Sequence, residues 1–261
     1  MYFKEVIELR IVVVNQKGGV GKTTVATNLS YCLSKSGKKT LLIDLDPQAH
    51  SSVIYKKEIR PEHTIKEAFL DRFYDLKSII FPAEIEGRVL ENLFIAPSSI
   101  HLAVTAEQIA SKIHREKLLC NHLNKIDENF SYIIMDCPPT LGVIAINAIY
   151  AADIILIPTT YGRYSLDGIA DLFNSIEEIK DGKVYKYYIL RNSFESRNKT
   201  TNEFIDTQLK ALEGNLFKTI IRKSEAINQA QINSVPVCIF DQKSNGSSDF
   251  ESLTQEIIHH V

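Results

Sequence analysis

No run of apolar residues in the chain reaches the roughly 18 to 20 that a membrane-spanning helix needs, which excludes a helical membrane protein. Cysteine is scarce. The four, Cys32, Cys120, Cys137 and Cys238, are far apart in sequence, form no C-x-x-C pair and have no histidine at zinc-finger spacing. A disulfide-stapled scaffold and a zinc finger are therefore excluded, and the cysteines read as reduced thiols of a cytosolic protein. Neither sign of charge dominates: 30 basic against 32 acidic side chains leave a net charge of −2. Whole-chain charge thus gives no argument for nucleic-acid binding, and any such partner must be argued from local patches. The N-terminus carries Lys4, Glu5, Glu8 and Arg10 around short apolar pieces, not the basic-then-apolar order of a signal peptide, so secretion is not expected. There is also no internal repeat, low-complexity tract or Pro/Gly-rich linker.

What is present is an alternation of two kinds of segment. Residues 9–15 (LRIVVVN), 39–44 (KTLLID), 93–96 (LFIA), 132–136 (YIIMD), 153–158 (DIILIP), 185–190 (YKYYIL) and 237–240 (VCIF) are short aliphatic or β-branched runs. Several are apolar at every position, as expected of strands covered on both faces. Between them, 22–35, 64–70, 100–113, 143–151, 166–179, 201–212 and 248–259 have helical patterns, with Thr64 and Glu67 at capping-box spacing. This order predicts an α/β fold: a doubly wound, mostly parallel sheet flanked by helices, with ligands at the carboxyl ends of its strands. One domain spanning 1–261 is expected. Residues 51–92 are the least regular stretch and a possible insertion.

The densest chemical signal is NQKGGVGKTT, Asn15 to Thr24, between a buried-type strand and a helix. Gly18, Gly19 and Gly21, with Val20 between them, let successive backbone N–H groups turn inward around anionic oxygens. The helix that follows adds unpaired amides and its positive dipole end. Lys22 is placed to neutralise β/γ-phosphates and Thr23 to ligate Mg²⁺, with Thr24 beside it. The Gly expected five residues before Gly21 is Gln16, and a second lysine, Lys17, stands next to it. A phosphoryl-transfer site also needs carboxylates, and two strand ends supply them. LLIDLDPQ places Asp44 and Asp46 two residues apart, facing one side if the chain stays extended, and YIIMDCPP places Asp136 after an apolar strand. Cys137 reads as a small buried residue and His50 as a loop residue.

KGGVGKTT resembles the deviant Walker A motif of the ParA/MinD group of P-loop ATPases, and the resemblance extends from about Leu9 to Glu256. It implies a P-loop NTPase fold and slow ATP hydrolysis with Mg²⁺. It also implies a homodimer closed over two nucleotides, in which Lys17 reaches the partner's phosphates. By the same resemblance Asp46 positions the hydrolytic water, Asp44 supports Mg²⁺ through water, and Asp136 is the Walker B carboxylate. Asn192 lies near the adenine ring, and Ile221 falls in the late block bordering the base, where many relatives have proline.

The group has a DNA-binding and a membrane-binding branch. The tail FESLTQEIIHHV has no Lys or Arg and only a short apolar face, so it offers little to anionic lipid. Residues 180–223 hold ten basic side chains against five acidic ones, a local balance of +5. Arg197, Lys199, Lys218, Arg222 and Lys223 are the candidate DNA-binding residues. Arg197 matches an arginine that the Soj branch uses on DNA, whereas the second arginine of that surface aligns with Glu225. The resemblance thus implies a small ParA-type partition ATPase of a plasmid or chromosome, cytoplasmic and nucleoid-associated. It would bind non-specific DNA when ATP-bound and be stimulated by a ParB-like centromere-binding protein. With the phosphate loop starting near residue 16, no N-terminal helix-turn-helix domain is expected. The alternatives are a MinD-like membrane-surface ATPase, a metabolic kinase or synthetase on the same fold, a nitrogenase-type iron protein, and a non-hydrolysing switch.

Overall fold

The computed structural model describes residues 9–126, 129–161 and 164–260; residues 1–8, on which most of the N-terminal reading rests, lie outside the described residues. In chain order the elements are β1 (Leu9–Val13), α1 (Lys22–Lys35), β2 (Thr40–Asp44), α2 (His50–Tyr55), α3 (Lys66–Leu70), β3 (Phe81–Ile85) and β4 (Arg88–Ala96). Then come α4 (His101–Ile109), α5 (Leu118–Leu123), β5 (Tyr132–Asp136), α6 (Val143–Ala151), β6 (Ile154–Thr160), α7 (Tyr164–Lys180) and β7 (Lys186–Phe194). The chain continues with α8 (Lys199–Leu209), β8 (Leu216–Arg222), α9 (Glu225–Ile232), α10 (Val237–Phe240) and α11 (Asn245–His260). The strands form one eight-stranded sheet in the order β3-β4-β2-β5-β1-β6-β7-β8, with β3 the antiparallel member.

The apolar runs are apolar at every position because both faces of the sheet are covered. Along β1 and just past it, Val12 and Val14 join the core on one face, with α4, α5, α6 and α7. Ile11 and Val13 join the core on the other, with α1 and α11. The result is the doubly wound architecture expected for such runs. From β1 the chain crosses over β5 to β2, and from β5 it crosses over β1 to β6. The reversal of direction beside β1 opens the crevice in which such sheets place ligands. The phosphate loop lies in that crevice.

Several local expectations are corrected. Residues 237–240 are not a strand but the four-residue helix α10, entered through Pro236. Thr64 caps nothing with its side chain: its hydroxyl donates to the Pro61 carbonyl, and α3 begins only at Lys66. The irregular stretch 51–92 holds α2, α3, β3 and most of β4, and so builds one edge of the sheet. Pro82 within β3 is tolerated because an edge strand leaves one row of N–H groups out of the ladder. β8, unforeseen in the sequence, is the other edge, with Lys218 and Arg222 facing outward. The C-terminal tail lies in α11, which packs on β8 and α1 with Phe250, Leu253 and Ile257 buried at 0–1% exposure. No helix among the described residues is long and apolar enough to cross a membrane.

Candidate functional site

β1 ends at Val13 and α1 starts at Lys22, so the glycine-rich segment is the whole connection. Gly19 (φ +73°) and Gly21 (φ +89°) adopt the left-handed backbone that glycine enters without penalty. At Gly21 there is a second reason: a Cβ there would lie 2.3 Å from the Asn192 side-chain nitrogen. Asn15 anchors the loop. Its Nδ2 donates to the Pro158 carbonyl (2.9 Å) and its Oδ1 accepts from the Lys17 N–H (2.9 Å), which ties the loop to β6. No side chain caps the N-terminus of α1, so its first amides stay available to an anion. Lys22 is 7% exposed and its Nζ donates to the Lys17 carbonyl at 3.1 Å. Burial lowers its pKa, and the nearby Asp136 carboxylate partly offsets that shift. Lys17 is half-buried at the outer edge of the loop.

The carboxylates come from the two strands beside β1. In the sheet register Val13 pairs with Asp136, and Asp136 pairs with Asp44. Both aspartates are fully buried. Asp44 Oδ2 accepts from the Ser52 N–H (2.8 Å) and hydroxyl (2.6 Å), and its Oδ1 accepts from the Asp46 N–H (3.0 Å). Asp136 Oδ2 accepts from the Ser51 hydroxyl at 2.6 Å. Its Oδ1 is buried and takes no hydrogen bond of good geometry, although the Thr23 hydroxyl is close enough to lower its pKa. Burial pushes the Asp44 pKa up, and the charge of Asp136 adds to the shift. Burial also pushes Asp136 up, against its hydroxyl partners and Lys22. Cys137 is buried beside them, as expected.

Asp46 does not continue the strand. β2 ends at Asp44, and the Asp46 N–H turns back onto the Asp44 carboxylate, while Asp46 Oδ1 accepts from the Gln48 N–H at 2.9 Å. The two aspartates therefore do not share the extended geometry assumed from their spacing. Asp44 is sealed and Asp46 is half-exposed at the rim.

These residues fit a small divalent cation. Two buried carboxyls held above their usual range and one unsatisfied carboxylate oxygen beside a threonine hydroxyl form an oxygen-donor set that a cation would stabilise. Among the described residues no three His, Cys, Asp or Glu gather into a closed metal cage. That pattern suits Mg²⁺, which binds through one or two carboxylates together with ligand phosphates.

Ser51 and Ser52 went unnoticed in the sequence although they orient both aspartates. The signal was their place, five and six residues after Asp46, where α2 begins instead of the loop expected at His50. Tyr55 fixes α2 on α1 by donating to the Thr27 carbonyl (2.7 Å). Beside the loop is a cavity of about 300 Å³ lined by Thr23, Thr24, His50, Val53, Ile227 and Gln231, with the Gln231 amide donating to the Thr24 hydroxyl. Its α9 wall was also missed. Asn192 reaches the loop directly, its Nδ2 donating to the Val20 carbonyl at 2.8 Å. Ile221 does not reach the open site: it is 1% exposed and its side chain belongs to the core under β8.

The basic surface is less free than its sequence suggests. Lys180 is 2% exposed and donates to the Ala152 carbonyl, and burial lowers its pKa to about 8. It must be removed from the surface count. Arg191 is half-buried against the Phe217 carbonyl (3.1 Å) and Asp206 (3.6 Å). Arg222 is clamped by Asp249 through Nε and Nη2 (2.6–3.1 Å). Arg197 and Lys223 share Glu195 at 2.6 and 2.7 Å. Lys199 and Lys218 are exposed and make no ion pair among the described residues.

Comparison with known proteins adds to this geometry. A family model described as an AAA domain matches residues 9–188. The sporulation initiation inhibitor protein Soj of Bacillus subtilis is 30% identical over 250 residues, covering 95% of this chain and 97% of that protein. The chromosome partitioning protein ParA of Myxococcus xanthus is 31% identical over 253 residues, covering 95% and 87% respectively. Among solved structures, a candidate plasmid partition protein of Borrelia burgdorferi B31 bound to AMPPNP superposes with a TM-score of 0.81 at 25% identity, covering 97% of this chain and 100% of that one.

Proposed function

The chain belongs to the ParA/Soj family of partition ATPases within the P-loop NTPases, and from that premise we propose that it hydrolyses ATP slowly to drive an ATP-dependent dimer on and off non-specific DNA. The observation that carries this reading is the buried Asp44–Asp136 pair beside Lys22, with one Asp136 oxygen unsatisfied. Such a pair is costly to keep unless a phosphate-bound cation offsets it.

In this reading Gly18 to Thr24 cradle the phosphates, with Lys22 neutralising the β/γ oxygens. Thr23 and Asp136 would hold Mg²⁺, with Asp44 behind them; the ion supplies charge neutralisation on the transferred phosphoryl group. Asp46, at the rim, orients the attacking water. Lys17 completes the partner's site, and Asn192, whose Nδ2 donates to the Val20 carbonyl of the loop, borders the base. Lys199 and Lys218, with Arg197, Arg222 and Lys223 when released from their acids, meet DNA phosphates. A ParB-like protein accelerates turnover.

The buried apolar face of α11 supports DNA over membrane as the surface bound, since Phe250, Leu253 and Ile257 are spent on the core and are not offered to lipid. Steady-state phosphate release tests the proposal, comparing wild type and Asp46→Ala with and without DNA. Slow turnover in the wild type and at least tenfold less in the variant supports it. Equal turnover in both removes Asp46 from the site.

A further inference from the structure

Cys32 in α1 and Cys238 in α10 are 206 positions apart, yet their sulfurs stand 3.2 Å from each other. Distance along the chain had suggested four unrelated thiols, and the fold brings two of them into contact. They are 2% and 0% exposed. The phosphate site uses neither, because Cys32 sits ten residues along α1 from Lys22, about 15 Å down the helix axis.

Three features make the pair more than a packing contact. The backbone is already in place: the Val237 N–H donates to Asn28 Oδ1 at 2.8 Å, which holds α10 against α1 one turn from the sulfurs. Closing the gap to a bonded S–S distance needs only about 1 Å of movement. Access exists as well, since Cys32 lines a cleft of about 580 Å³ with Lys35, Ser36, Ser248, Glu251 and Ser252, its rim bridged by Lys35 and Glu251 at 2.9 Å. The contact also separates the two acidities. The thiol–thiol contact lowers the Cys238 pKa, while the same contact and burial raise that of Cys32.

We propose that Cys32 and Cys238 are a redox modification site, at which a two-electron oxidant of the peroxide class entering by the cleft joins them in a disulfide that clamps α1 to α10. In the first step one sulfur of the pair attacks hydrogen peroxide and takes one oxygen: the O–O bond breaks, an S–O bond forms, and water leaves. In the second step the other sulfur attacks the sulfenic acid so formed: the S–S bond forms, the S–O bond breaks, and a second water leaves. Two thiols and one peroxide thus give one disulfide and two waters. In a reducing compartment such a bond is transient and reports oxidant, the usual role of disulfides there.

The test is oxidation of the folded, full-length protein with a few equivalents of hydrogen peroxide, followed by alkylation, denaturation and digestion without reductant. The result expected is one cross-linked peptide pair containing Cys32 and Cys238, two hydrogens lighter than the sum of its parts, and reversed by dithiothreitol. Because the bond closes a loop of 206 residues, the oxidised protein should melt roughly 5 to 15 °C higher. Cys238→Ala should lose that increase. Recovery of both thiols unoxidised, Cys32 carried on to sulfinic acid without a cross-link, or a bond to Cys120 or Cys137 instead would each overturn the proposal. The mass measurement on wild type decides it even if the variant does not fold.

Discussion

The phosphate end of the sheet and the basic face beyond β7 and β8 differ in how their charges are used. At the phosphate end Lys22, Asp44 and Asp136 are buried together, Lys22 donating to the Lys17 carbonyl and the two carboxylates accepting from Ser51, Ser52 and the Asp46 N–H. On the basic face the charges lie at the surface and several are taken by neighbouring acids: Glu195 holds two cations and Asp249 holds Arg222. A buried constellation is set by a few adjacent residues following three strands, so it survives being read as a motif. A surface balance depends on which acids happen to fold against which bases, and a count of charges along the chain cannot see that.

The comparison can be broken most severely at Lys22. Lys22→Ala should reduce ATP affinity on the order of 100-fold, measured by calorimetry, because a charge-assisted phosphate contact in a largely dry site is removed. Unchanged affinity would mean that the buried end is not built for phosphate. Ser51→Ala is the next largest. It takes the donor from Asp136 Oδ2 and should cost about 2 kcal/mol in urea unfolding without Mg²⁺, and less once nucleotide and Mg²⁺ are bound.

Lys180 separates the two regions by pH. Its folded pKa of about 8 lies below the ordinary value of 10.5, so between those values the unfolded chain binds more protons and stability rises with pH. Lys180→Met should flatten that rise, which in the wild type is up to ~3 kcal/mol between pH 8 and 10.5. A slope kept in the variant would place the titrating group elsewhere.

The smallest effect is expected on the exposed side. Glu195→Gln releases Arg197 and Lys223 and should raise DNA affinity roughly 3- to 10-fold, with a log–log salt slope steeper by about 1 to 2. A loss of affinity would show that Glu195 positions those cations and does not neutralise them.

The same contrast explains what was legible in the sequence. α1 and α6 begin and end where their patterns predict, and β1, β2 and β5 are found from their continuous apolar runs. The phosphate loop and Asp136 follow from strand context. Where burial is one-sided or the segment short, the reading fails. VCIF is as apolar as a strand, but four residues after a proline carry no period that tells helix from strand, and it folds as α10. β3 hides behind Pro82 and β8 behind its outward Lys218 and Arg222, both on the sheet edges. Lys180 reads as surface charge because nothing in its neighbours announces that α7 turns its last residue onto the Ala152 carbonyl. The Cys32–Cys238 contact, across 206 positions, is purely tertiary.

The most direct test is sedimentation of purified Asp46→Ala protein with a non-specific DNA duplex and, separately, with anionic liposomes, each with ATP·Mg²⁺ or ADP across a salt series. The account predicts binding to DNA with ATP only, weakening steeply with salt, and no binding to liposomes. ATP-dependent binding to liposomes alone would contradict it.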